Sequence, residues 1–309
     1  MTEMTTPPFL RQGDTVGVIA PAYHAERHRW DVVLPLLHSW GFRVVEGKSL
    51  SLKDNLFSGS DAQRLEDLCA MMRNPDIKAV LCARGGYGTG RLLTELDNCI
   101  GSFGAKWLIG YSDISVLLTY WTQRLRQQCI HGPMPVNLQD TSPEQVQSWE
   151  YLRGILQGQM PVYSLPSSGY NRAGEAVATL TGGNLSVLHG LNGTPYQIWT
   201  DDHILFIEDV NENLYHLDRM MNSLRIGGQF HKLKGLLVGS MTGMKDGEPS
   251  FGKTACEIIR EHVAKYDFPV VFDFPAGHGG ANHPLVMGAI THFSVAETAV
   301  SIAQSCTGI

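Results

Sequence analysis

In its first 130 residues the chain alternates short aliphatic runs with stretches of helical spacing, and few folds accept that alternation. Thr15–Ala20 (TVGVIA) is a β-branched run closing on Pro21, which reads as a first buried strand. His28–Gly41 places Trp30, Val33, Leu34, Leu37 and Trp40 on one helical face and ends on a glycine. Phe42–Val45 is a second strand. Asp61–Met72 reads as a helix with Asp61 at its N-cap. Lys78–Cys82 is a third strand, Leu92–Leu96 is helical, Trp107–Gly110 is a fourth strand, and Asp113–Gln127 is a strong helix. Strand, helix, strand, helix at this spacing predicts crossover connections and a mostly parallel sheet.

After His131-Gly132-Pro133 the pattern changes. Residues 138–172 mix Pro, Ser, Gln and Gly around one helix near Pro143–Gln157, and they read as a crossover between domains of residues 1–137 and 173–309. The second half carries short strands at Ala176–Thr181, His203–Glu208, Gly235–Gly239, Val270–Phe272, His292–Val295 and Val300–Ile302. Helices are expected only at Asn184–Gly190, Leu214–Leu224 and Thr254–Tyr266. The fold class is thus α/β in the first half and strand-rich α+β in the second. At 309 residues, about two domains of roughly 150 residues each is the ordinary expectation.

Composition removes several function classes. With 24 Lys+Arg against 30 Asp+Glu the formal charge is −6, so nucleic acid is not the expected partner. No run approaches the roughly 18–20 apolar residues of a membrane span, and MTEMTTPPFLRQGDT has neither the basic nor the apolar region of a secretory signal. Six cysteines without a C-x-x-C pair read as reduced thiols. A cytoplasmic protein is expected. No metal or cofactor is implied: H-E-x-x-H is absent, and the first strand ends Ala20-Pro21-Ala22 where a dinucleotide loop needs glycines.

Four segments could carry chemistry. In Trp107-Leu-Ile-Gly-Tyr-Ser-Asp-Ile, a buried strand runs into a turn bearing Ser112 at the start of a helix. Such a turn exposes a serine hydroxyl beside the free N–H groups of the helix terminus. Ser112 as a plain N-cap is the competing reading, and the second glycine of G-x-S-x-G is replaced by Ile114. Cys82-Ala-Arg-Gly-Gly-Tyr-Gly-Thr-Gly fits neither phosphate-loop pattern. It suits an oxyanion-hole turn, with Arg84 available to a carboxylate. Ile204-Leu-Phe-Ile-Glu-Asp delivers Glu208 and Asp209 to a strand end, followed by Glu212, unless these form a solvated turn. Finally, His278 is flanked by glycines and so conformationally specified; His283 is the fallback. The order Ser112, Glu208, His278 is that of α/β-hydrolases, but the surrounding pattern is not. A triad assembled across two domains is the better inference.

The sequence resembles the LD-carboxypeptidase family, the murein tetrapeptide carboxypeptidases. The shared features are V-I-A-P-A (18–22), R-L-E-D-L (64–68), R-G-G-Y-G (84–88), I-G-Y-S-D-I-S (109–115), H-G-P (131–133), G-G-N-L (182–185), I-E-D-V-N-E (207–212) and G-H-G-G-A-N (277–282). The resemblance implies a Rossmann-like N-terminal domain, a C-terminal domain around a small barrel-like sheet, and a site between them. It implies Ser112 as nucleophile, Glu208 as orienting acid and His278 as base, with the backbone amides of Gly86 and Asp113 as oxyanion hole. A free carboxylate on the leaving residue needs a cation, for which Arg84 is the candidate, with Gly85 and Tyr111 beside it as further substrate-binding residues. Pro284-Leu-Val-Met-Gly288 departs from the family's usual L-P-x-G and is expected to touch only the pocket rim.

The implied activity is release of terminal D-alanine from murein tetrapeptides, free or joined to sugar or UDP-sugar, in cytoplasmic peptidoglycan recycling, by a homodimeric enzyme. The family also holds microcin-type immunity proteins, which cleave acyl-sulfamoyl adenylates and carry extra sequence near the cleft for which 309 residues leave little room. A non-enzymatic, two-lobed ligand-binding module is the rival from another class.

Overall fold

The computed structural model describes residues 4–99 and 103–306. Two sheets organise them. The first takes β1 (Thr15–Ile19), β2 (Arg43–Glu46), β3 (Ile77–Cys82), β4 (Trp107–Gly110) and β5 (Cys129–His131) in the order β2-β1-β3-β4-β5, all parallel. The second holds β6 (Val162–Pro166), β7 (Gly174–Asn184), β8 (His203–Val210), β9 (Gly235–Thr242) and β10 (Val270–Val271). β11 (Leu285–Met287) returns to the first sheet and pairs antiparallel with β5, while β12 (Ile290–Val295) and β13 (Ala299–Ser305) complete the second. Its order is β10-β9-β8-β7-β12-β13-β6, with β7 to β10 parallel and the rest antiparallel. A bridge from Arg172 to Val270 ties the segment after β6 to β10, so the sheet curls toward closure without its edge strands pairing.

The expected alternation of strands and helices is present, with three informative departures. His28–Gly41 is two short helices, Arg27–Trp30 and Val33–Ser39. Pro35 lacks the N–H an uninterrupted helix needs, and restarting at Val33 puts it in a first turn, where that N–H has no partner anyway. Ser60, not Asp61, caps the helix Asp61–Arg73, in a reciprocal capping box with Gln63. The helix expected over Asp113–Gln127 is a tight turn at Ser112–Ile114 followed by Ser115–Gln123. The second sheet also draws on the linker, and the first draws on the second half of the chain. β6 lies in the stretch read as linker, and β11, three residues long and directly following Pro284, extends the first sheet from the second half of the chain.

The helix Ser115–Gln123 fixes how the two sheets meet. Ser115 through Thr122 are all buried, with Ser115, Thr119 and Thr122 as its polar members; a helix covered on every side belongs inside a structure. Leu117, Leu118 and Trp121 join one apolar cluster with Leu180, Phe206 and Phe293 of the second sheet. The Ser115 hydroxyl also accepts a hydrogen bond from the Asn184 amide at the end of β7, at 3.0 Å.

Candidate active site

In a parallel sheet the carboxyl ends of the strands frame the ligand crevice, and here two such sets converge. From the first sheet come Arg84, Gly85 and Gly86 after β3, Tyr111, Ser112 and Asp113 after β4, and His131 at the end of β5. From the second come Asn184 ending β7, Glu208 and Asp209 near the end of β8, and the loop after β10 that carries His278.

Ser112 is not a helix cap. The helix that follows is capped by Ile114, and no side chain bonds a terminal N–H there. Ser112 instead holds φ at 63°, a left-handed conformation that an ordinary side chain adopts only under constraint. Gly85 lies directly against it: a Cβ at position 85 would stand 2.8 Å from the Ser112 Cβ and 3.0 Å from its Oγ. Next to it, the buried Asp113 carboxylate accepts the Thr89 amide at 2.9 Å, and the Thr89 hydroxyl donates to the Asp113 carbonyl at 2.7 Å. The serine turn and the glycine-rich loop are therefore one braced unit. Arg64, fully buried, donates to the Pro21 and Gly88 carbonyls and steadies that loop from behind.

Glu208 and His278 are in contact. His278 Nδ1 lies 2.7 Å from Glu208 Oε2, and the backbone N–H of His278 donates to the same oxygen at 3.2 Å. Gly277 makes this fit possible: φ is 105°, and a Cβ there would come within 2.4 Å of that carboxylate oxygen. Its N–H donates to Asn282 Oδ1, which closes the loop behind the histidine. Glu208 is wholly buried, and Asn184 Nδ2 donates to its other oxygen at 3.2 Å. Burial alone would depress the His278 imidazole, but the hydrogen bond and charge of Glu208, aided by Asp209, hold it above its ordinary value. The Tyr111 ring packs 4.8 Å from that of His278, bringing the residue before Ser112 against the imidazole. The Ser112 hydroxyl and the His278 ring are not themselves hydrogen-bonded; such contacts are often open without substrate.

The other expected residues fall as follows. Arg84 donates to the His24 carbonyl at 2.9 Å and lies over the Tyr23 ring. Tyr111 is buried, and its hydroxyl accepts from Asn137 rather than facing the crevice; burial pushes it up to about 12. The fallback His283 is engaged elsewhere, bonding Ser148 and stacking on Tyr163. Glu212, grouped with Glu208 in the sequence, pairs with His216 in the first turn of the helix Leu214–Ile226. Three residues around Glu208 receive no role from the sequence alone, although each lies in a motif it displays: His131 in H-G-P, Asn184 in G-G-N-L and Asp209 beside Glu208. Asp209 accepts from Asn184, Ser186 and Val210, and burial raises its carboxyl to about 6.

Comparison with known proteins agrees with this architecture. Residues 16–132 match the LD-carboxypeptidase N-terminal domain and residues 177–293 the LD-carboxypeptidase C-terminal domain. A probable murein peptide carboxypeptidase of Bacillus subtilis is 35% identical, covering 94% of this chain and 92% of that protein. The murein tetrapeptide carboxypeptidase of Pseudomonas aeruginosa is 32% identical, covering 86% and 89%. The microcin C7 self-immunity protein MccF of Escherichia coli is 26% identical, covering 90% and 88%. A solved structure of MccF with glutamyl sulfamoyl guanosine shares the fold at a TM-score of 0.85 and 22% identity, over 98% of this chain and 99% of that one. With both domains matched in order and relatives above 30% identity along nearly the whole length, the chain belongs to the LD-carboxypeptidase family.

Proposed function

We propose that this protein is a serine carboxypeptidase that releases terminal D-alanine from murein tetrapeptides, cutting the amide that follows the L-configured centre of a diamino acid. The observation that carries the reading is the 2.7 Å contact between His278 and Glu208, with the His278 ring packed on Tyr111 and the next residue, Ser112, held at positive φ on the end of a parallel strand. Relatives named as murein peptide carboxypeptidases supply the substrate class.

In this reading His278 Nε2 takes the Ser112 proton as Oγ attacks the carbonyl. Glu208 holds Nδ1–H, which fixes the tautomer and stabilises the imidazolium. The Gly86 and Asp113 amides receive the oxyanion; neither bonds to another described residue. The C–N bond then breaks, His278 protonates the departing D-alanine amine, and water, deprotonated by the same imidazole, frees the acyl group. Arg84 receives the carboxylate of the leaving residue. Residues 1–137 thus supply the nucleophile and residues 173–309 the acid and base.

Purified protein with a murein tetrapeptide should yield D-alanine, and Ser112→Ala should reduce turnover by at least about 10⁴-fold. Full turnover by that variant would rule out the nucleophile. Likeness to MccF along 90% of the chain supports a second reading, hydrolysis of acyl-sulfamoyl adenylates; the same preparation assayed on glutamyl sulfamoyl adenosine separates the two. A recycling enzyme acts in the cytoplasm, and the family pattern is a homodimer, which sedimentation would test.

A further inference from the structure

His131 ends β5, in register with Gly110 of β4 and Leu285 of β11. Its side chain is fully buried, set edge-to-face against Phe206 at 4.8 Å and Tyr111 at 5.9 Å. Neither ring nitrogen hydrogen-bonds to another described residue. An imidazole sealed from water without a partner is destabilising, and phenylalanine or leucine would fill the same space without that penalty. Yet Nε2 stands 4.0 Å from Oε1 of the equally buried Glu208.

The geometry points to His131 as a positioning residue of the Glu208–His278 pair: a neutral ring presenting Nε2–H to Oε1, the carboxylate oxygen that His278 does not use. The role of the pair rests on the peptidase reading. The placement of His131 stands on the structure alone.

Every group facing the carboxylate fits this role. His278 occupies Oε2 through its ring and backbone; Asn184 of β7 donates to Oε1; His131 of β5 approaches Oε1 from the first sheet. Asp209 of β8 adds negative charge nearby, and the Tyr111 ring packs against both imidazoles. Burial depresses His131 to about 4, against the pull of Glu208, so it does not compete with His278 for charge. A neutral imidazole has one N–H, and facing a carboxylate it belongs on Nε2. Closing the gap by about 1 Å makes a normal hydrogen bond, the kind of tightening that substrate brings. The contact also couples the nucleophile's sheet directly to the acid on the other sheet.

The test is a histidine ring NMR titration of the full chain, as wild type, His131→Phe and His131→Gln. Without the donor the carboxylate is more basic, so His278 holds its proton to higher pH. In His131→Phe its midpoint should rise by roughly half a unit, and His131→Gln, which keeps an N–H, should return within about 0.2 unit of wild type. In D-alanine release, His131→Phe should lose about 10-fold in kcat at unchanged KM, with the acidic limb displaced alongside the midpoint. A His131→Phe titration superimposing on wild type overturns the proposal. Should that variant not fold, ring ¹⁵N shifts of wild-type His131 decide: protonated Nε2 supports it and protonated Nδ1 overturns it. A shifted midpoint in a protein that releases no D-alanine would sink the peptidase reading while leaving the positioning role intact.

Discussion

One carboxylate oxygen, Oε2 of Glu208, receives both the ring Nδ1 and the backbone N–H of His278, at 2.7 and 3.2 Å. The double contact orients the ring and not merely its charge, because rotating the imidazole away would break the first bond and leave the second. Glu208→Gln preserves size but offers an amide that permits the wrong tautomer. We expect kcat to fall by about 10³–10⁴-fold with KM little changed. Steady-state kinetics on the tetrapeptide check this, and a loss under tenfold would mean that Glu208 does not orient the base.

The same pair sets the pH dependence. A base must be unprotonated to accept the serine proton, and His278 titrates above the ordinary imidazole value of 6.5. The acidic limb of kcat/KM should therefore lie above pH 6.5. Stability runs the other way: a raised histidine contributes fully below the unfolded value and loses that contribution as pH climbs through the folded one. Activity and the stabilisation from this pair thus have opposite slopes across one window. Parallel pH profiles of kcat/KM and of urea midpoint would reveal it, and an acidic limb at or below pH 6 would contradict the assignment.

The helix that follows Ser112 is pinned to the second sheet by the buried bond from the Asn184 amide to the Ser115 hydroxyl. Ser115→Ala leaves that N–H without a partner, at a cost of about 1–3 kcal/mol. The helix also locates Ser112, so kcat should drop several-fold without a change in the pH profile. Equilibrium urea unfolding and kinetics together test the claim, and an unchanged urea midpoint refutes it.

How much of this could be read before the structure follows from where each instruction resides. Ser112, Glu208 and His278 sit at the ends of apolar runs or between glycines, so a local pattern marks them. The serine's competing reading as a cap fell only when the structure gave the helix cap to Ile114. His131, Asn184 and Asp209 lie in motifs the sequence displays, but what they touch is settled only where segments more than 20 residues apart meet, and no local periodicity encodes a meeting. β11 was invisible for a related reason: three residues paired to a distant strand carry too little pattern to read as a strand. The early end of the helix at Gln123 precedes a turn in which Arg126 takes a φ of 53°, a backbone state that composition does not foretell.

Arg84 gives the sharpest test of which end of the substrate enters the site. It follows β3 immediately before Gly85, the residue in contact with Ser112. One guanidinium nitrogen is committed to the His24 carbonyl and the plane lies over Tyr23, so the side chain is held in place while other N–H groups remain for a ligand. A carboxypeptidase must recognise a free carboxylate next to the scissile bond, and a planar guanidinium does so with two parallel hydrogen bonds. Arg84→Ala should raise KM for the tetrapeptide by about 10–100-fold while kcat changes far less, since the contact is lost equally from ground and transition states. Arg84→Lys should recover only part of this, because a point charge cannot reproduce the fork. A substrate ending in D-alaninamide should be cleaved equally poorly by wild type and Arg84→Ala. If the alanine variant instead discriminates between acid and amide as strongly as wild type, Arg84 does not read the carboxylate.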